Sequence, residues 1–262
     1  MNTVIPAANS AMVEATAFDP NEPPPHWGDD DLTSFMRTAT SAAWGSYVQP
    51  MTRPWFKKLE AVDRAFLKAI GALNGRTPNY FEGLMLVSAH AAFRGAAEFT
   101  LQGRTCESMV LMRSCLEYAM YGVHFHRRPK LIEVWAHRGD GEKQKKAVRK
   151  NFKLTEMLDG IAALNNAIGP RAKELYERTI DMGAHPNEVG FFGRLSITDG
   201  TSAGDKLFQV KYLQGGEPAQ LHALKTAAQT GVCTLECFWL IYRERYDIMG
   251  VKADIDALKA GL

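Results

Sequence analysis

The stretch SMVLMRSCLEYAMYGVHF, residues 108–125, is apolar almost all the way round a helix, yet it carries Arg113, Glu117 and His124. A helix with no polar face belongs at the centre of a protein, so this segment predicts a buried central helix. The neighbouring segment FEGLMLVSAHAAFRGAAEFTLQ (81–102) has the same character, and Gly103 separates the two. A connection that short folds two helices into an antiparallel hairpin. Both helices contain one pattern, AFRGAAEF (92–99) and LMRSCLEY (111–118), in which Arg and Glu stand four residues apart on one face. A charge in such a helix needs a partner, because burying it alone costs several kcal/mol. The antiparallel arrangement predicts a cross-helix network of Arg94, Glu98, Arg113 and Glu117, with His90 about level with Glu117. A further acid, Glu236, is embedded in the apolar run CTLECFWLIY (233–242), with Cys233 and Gln229 on its stripe.

Outward from this hairpin, helix signals dominate. One helix is expected after Asp29-Asp30-Asp31, whose acids suit the positive end of the helix dipole. A second starts near Pro54 and runs to about Leu73, and Thr77-Pro78 opens the third. Helices are expected at about 129–138, 141–164 and 168–182, then from Pro218 to about Tyr246, with a short one at 252–260. The segment RLSITDGTSAGDKLFQVKYLQ (194–214) alternates β-branched and aromatic residues around Asp199-Gly200 and Gly204-Asp205, so it predicts a small β-hairpin or an ordered loop. The expected fold is therefore an all-α helical bundle with that one insertion. It forms a single domain over residues 29–262, behind a loosely ordered, Ala/Pro-rich arm at 1–28.

Composition narrows the function classes. The 262 residues include no apolar run of eighteen, so no transmembrane helix is expected. The N-terminal residues lack the basic start of a secretory signal, since the first Lys or Arg is Arg37. Cys106, Cys115, Cys233 and Cys237 form no CxxC, which argues against a zinc site or disulfide scaffold and fits a reducing cytoplasm. GxGxxG, GxxxxGK[ST], GxSxG and ExxH are absent, and the two histidines of HFH (124–126) lie about 200° apart on a helix. No metal and no cofactor are expected. The high apolar and aromatic content points to a homodimer.

The net charge of +2 is unevenly spread: residues 127–153 hold ten Lys/Arg against three acids. In GEKQKKAVRKNFKLTEML (141–158), one helix would align Lys146, Arg149, Lys150 and Lys153, with Lys143 preceding them. Such a stripe suits phosphates.

The last cluster is TIDMGAHPNEVGFFGRL (179–195), in which Asp181-Met-Gly183 ends a helix and Pro186 prevents its resumption. Arg178 and His185 are separated by six residues. With the all-helical reading, and with Arg113/Glu117 followed by HPN, this loosely resembles the HEPN superfamily and uncharacterised bacterial helical proteins related to it. Members are helical bundles, often dimeric, from defence and toxin systems, and active ones carry an Arg-x4–6-His motif. The resemblance implies metal-independent RNA cleavage, with His185 as general acid/base and Arg178 stabilising charge on phosphate. Three functions remain open. The first is a HEPN-like RNA-binding or RNA-cleaving protein, gripping RNA with Lys143, Lys146, Arg149, Lys150 and Lys153. The second is a non-catalytic regulatory protein with a structural ion network, and the third is a small-molecule protein or enzyme using embedded carboxylates in a bundle pocket; Arg113 and Glu117 join Arg178 and His185 as candidate catalytic residues.

Overall fold

The computed structural model describes residues 22–73, 79–186, 188–201, 204–216 and 218–262. Thr77-Pro78, Asn187 and residues 1–21 of the N-terminal arm lie outside the described residues. One compact unit ends at Thr38, and the second comprises Ala39–Leu262. Helix α1 (Asp31–Val48) spans their junction. It starts where Thr33 N–H donates to Asp30 Oδ1 at 2.9 Å, and the Thr33 hydroxyl, then that N–H, holds the Asp30 carboxyl below its usual range.

The second unit is built on α2 (Arg53–Leu73), α3 (Tyr80–Leu101), α4 (Thr105–Arg127) and α10 (Pro218–Ile241). Asn79 caps α3 by accepting from the Phe81 N–H at 3.0 Å. The α3–α4 turn is as tight as expected, and the two helices form the most extensive helix pair of the fold. Helix α4 also packs on α10, on α7 (Leu154–Leu164) and on α8 (Ile168–Thr179). It is central as predicted, and Met112, Cys115, Ala119 and Phe125 are fully buried on it. Glycines allow these close approaches: a Cβ on Gly231 of α10 would stand 2.6 Å from Val62 of α2. Among the described residues the fold is all-α with one two-stranded antiparallel hairpin, β1 (Leu195–Asp199) and β2 (Lys206–Val210), paired Ile197 to Phe208. No helix among the described residues is long and apolar enough to cross a membrane.

Two helices expected to be continuous are broken. The 141–164 segment divides into α6 (Glu142–Asn151) and α7, because Phe152 turns inward to stack on Tyr121 at 5.2 Å. Before them comes α5 (Leu131–Ala136), followed by a short 3₁₀ turn at His137–Gly139. The C-terminal run breaks at Tyr242 and resumes as α11 (Arg243–Ile248), then α12 (Val251–Leu258). Neither break has a proline or glycine at it; packing of an aromatic ring decides each. After α8 the chain widens into a π turn at Ile180–Ala184, kinked at Gly183 with φ of 131°, and a one-turn helix α9 (Glu188–Phe192) follows.

Candidate functional site

The Arg/Glu pairs of the central hairpin do not join into one network. Arg94 points from α3 to α2, where its Nε and Nη2 donate to the two carboxylate oxygens of Asp63 at 2.7 and 3.0 Å. His90, on the same stripe, lies 2.6 Å from that carboxylate and stacks on Phe66. The Arg94 hydrogen bond, then that of His90, holds the Asp63 carboxyl below its usual range against the opposing effect of burial. Glu98 accepts from Gln102 at 3.1 Å. Arg113 and Glu117 pair within α4 at 2.9 Å, and the Tyr176 hydroxyl of α8 donates to Glu117 at 3.1 Å. The expected four-residue network is thus replaced by separate clusters. Helix α3 lies between α2 and α4, so its 90/94 stripe meets Asp63 instead of Arg113. Glu117 does border a cavity of about 240 Å³ between α3 and α4, with Met85 and Trp135.

Arg178 and His185 also part company. Arg178 donates to Gln229 of α10 at 2.6 Å and pairs with Glu174 on its own helix. His185, beyond the π turn, lines a cleft of about 540 Å³ beside Cys106 and Arg194. Lys143, Lys146, Arg149, Lys150 and Lys153 lie on the basic segment, but the helix break places Lys153 outside α6, 4.0 Å from Glu156. This segment meets the other end of α4, where His124 Nε2 donates to the Asn151 carbonyl at 2.9 Å. Cys106 and His124 are separated by about 27 Å along the helix. The structure therefore does not bring His185 and the basic stripe to one place.

What it does bring together is Glu82, His126 and Tyr242. Because α3 and α4 are antiparallel, the first turn of α3 lies beside the last turn of α4. Glu82 is 4% exposed, and its Oε1 lies 3.2 Å from His126 Nδ1. The break after α10 swings Tyr242 to the same spot. All three line a cavity of about 790 Å³, walled by Phe81, Ile132 and Ile241 with Lys130 at its edge. Burial pushes the Glu82 carboxyl above its ordinary range, and His126 only partly opposes this. Burial and the Glu82 charge push the Tyr242 phenol up as well. The Tyr242 hydroxyl is buried and makes no well-formed hydrogen bond among the described residues, although the Glu82 carboxyl is its neighbour.

Sequence reasoning misses this trio for physical reasons. An acid in the first turn of a helix is already explained by the dipole, and Tyr242 reads as mid-helix. The HFH segment is the one available signal: its two histidines do point apart, His124 to a backbone carbonyl and His126 to Glu82.

No family model, curated protein or solved structure matches this chain.

Proposed function

We propose that the protein binds a small, flat, largely apolar molecule bearing one basic nitrogen, in the cavity at the C-terminal end of α4. The observation that carries this is Glu82, a buried carboxyl opening onto a cavity beside a buried tyrosine hydroxyl that lacks a well-formed hydrogen bond. A cavity of about 790 Å³ lies within the range of small-ligand sites, and an apolar wall with a few convergent polar groups is their usual construction. A carboxyl whose ionised form is penalised by burial gains most from a ligand that accepts its proton. The ion pair so formed replaces the solvation that burial removed. Tyr242 then supplies a second hydrogen bond from the wall, and His126 closes the far side of the carboxylate. Benzimidazole and indole test the reading, being near-isosteric and differing in the basic nitrogen. Glu82→Gln weakens benzimidazole binding by about tenfold, the equivalent of 1.4 kcal/mol, and leaves indole unaffected, as ligand-observed NMR would record. Loss of both probes alike, or binding of neither, contradicts it.

The outer face of α6 favours a second reading, binding of single-stranded RNA. Lys143, Lys146, Arg149 and Lys150 form no ion pair among the described residues, while Lys145 and Lys153 each face a glutamate. Four cations on ten residues of helix are a phosphate-binding stripe of the kind that works by counterion release. The Arg178–His185 chemistry implied by the HEPN resemblance stays outside this reading, since Arg178 is held by Gln229 and Glu174. Replacing the four cations with glutamine flattens the salt dependence of binding to a labelled oligouridylate, by about 0.7 in log–log slope for each phosphate no longer neutralised. An unchanged slope and affinity would exclude the stripe as an RNA surface.

A further inference from the structure

The cleft around His185 carries an inference independent of either reading above, since it lies at the opposite end of α4 from the Glu82 cavity. Its floor is the first turn of α4. Gly183 allows the chain to cross there: its φ of 131° suits glycine, and a Cβ would stand 2.8 Å from the Cys106 sulfur. The Cys106 thiol donates to the Gly190 carbonyl at 3.7 Å, which holds α9 over the floor.

On the facing side, Arg194 begins the hairpin and is fixed through its backbone, whose carbonyl accepts from the Lys211 N–H at 2.9 Å. The Arg194 Nε is buried and has no hydrogen-bond partner among the described residues. A buried guanidinium donor left unpaired is costly, and the Arg194 side chain that carries it lines the cleft. Arg194 also lowers the Cys106 pKa through its charge, against the larger upward effect of burial, so its field reaches the floor. His185 adds a second nitrogen-bearing side chain to the lining. Glu188 is the acid facing them, and Phe191 and Pro186 provide apolar wall.

We propose that this cleft binds a small organic carboxylate, whose carboxylate group pairs with Arg194 while its apolar body lies against Phe191. The planar guanidinium fork matches a carboxylate bidentately, which favours this chemistry over a neutral acceptor. The cleft's volume of about 540 Å³ accommodates an aryl acid of ordinary size.

Cys106 reports occupancy. Of the four thiols, Cys115, Cys233 and Cys237 are 0–1% exposed and Cys106 is 9% exposed. Iodoacetamide on the native protein, followed by peptide mapping, therefore reads Cys106 selectively. Benzoate slows its alkylation about tenfold when present near ten times its dissociation constant, as mass action requires. Benzamide, of the same shape and neutral, gives no protection. Arg194→Met abolishes the ratio of rates with and without benzoate. Glu188→Gln, which removes the opposing charge, lowers the benzoate concentration needed for half-protection and keeps the proposal testable should the arginine variant fold poorly. Equal protection by benzoate and benzamide, no protection by either, or protection retained in Arg194→Met would overturn it.

Discussion

Replacing Arg171 and Lys259 together with methionine lowers the Tm by roughly 10 °C. Glu236 lies in the last two turns of α10 and is 2% exposed. Each of its carboxylate oxygens has one cation: Arg171 of α8 approaches Oε2 at 2.5 Å, and Lys259, just after α12, approaches Oε1 at 2.6 Å. The arrangement ties three helices together through one buried charge. Removing both cations leaves that charge uncompensated, which costs about 3–5 kcal/mol. For a chain of this size each kcal/mol moves the Tm by about 2–4 °C. Adding Glu236→Leu to the double variant restores much of the loss, because a well-packed apolar trio is often no worse than a buried ionic one. A double variant that melts with the parent would show that Glu236 is neither buried nor paired as described. Thermal unfolding followed by circular dichroism reads all of these.

Phe238→Ala is the second large loss, about 3–5 kcal/mol by the usual cost of emptying a fully buried aromatic site. The ring lies against α4 where Gly122 leaves room for it: a Cβ on Gly122 would stand 3.0 Å from Phe238 Cε1. Gly122→Ala alone crowds that approach and costs about 1–3 kcal/mol. Together the two substitutions destabilise by less than their sum, because the new methyl enters space the ring has vacated. Denaturant titrations of the four proteins give the coupling. Strict additivity would mean that α4 and α10 do not meet at this point.

The same helices show which parts of the molecule can be read from the chain. The central hairpin is legible because residues 108–125 lack a polar face and Gly103 permits an abrupt turn. The β-hairpin at 194–214 announces itself through alternation and through its paired Asp and Gly residues. The breaks at Phe152 and Tyr242 are not legible, since nothing local marks them. Each follows from where an aromatic ring finds its partner in the folded protein.

The site is harder still. Spacing predicts that Arg113 and Glu117 share a face, and they pair at 2.9 Å. Spacing cannot say which third helix a stripe will meet, so it matches Arg94 to the acids of the hairpin when its partner is Asp63 of α2. His185 stands out in the sequence and does line a cleft, but beside Arg194 rather than Arg178. Glu82 carries no signal at all, because its position at a helix start already has an explanation.

The ligand reading turns on whether Glu82 is a buried carboxyl that resists ionisation. The measurement is the Tm of the parent and of Glu82→Gln from pH 4 to pH 8. In the folded protein the Glu82 carboxyl holds its proton above its ordinary value of 4.5, so between that value and its raised one the folded state binds more protons than the unfolded. Stability therefore falls as pH rises through that window, and the penalty persists above it. Glutamine carries no such penalty. The variant should melt above the parent at pH 8, with the two curves converging toward pH 4; a parent that is the more stable protein at pH 8, or curves that stay parallel throughout, would contradict the account.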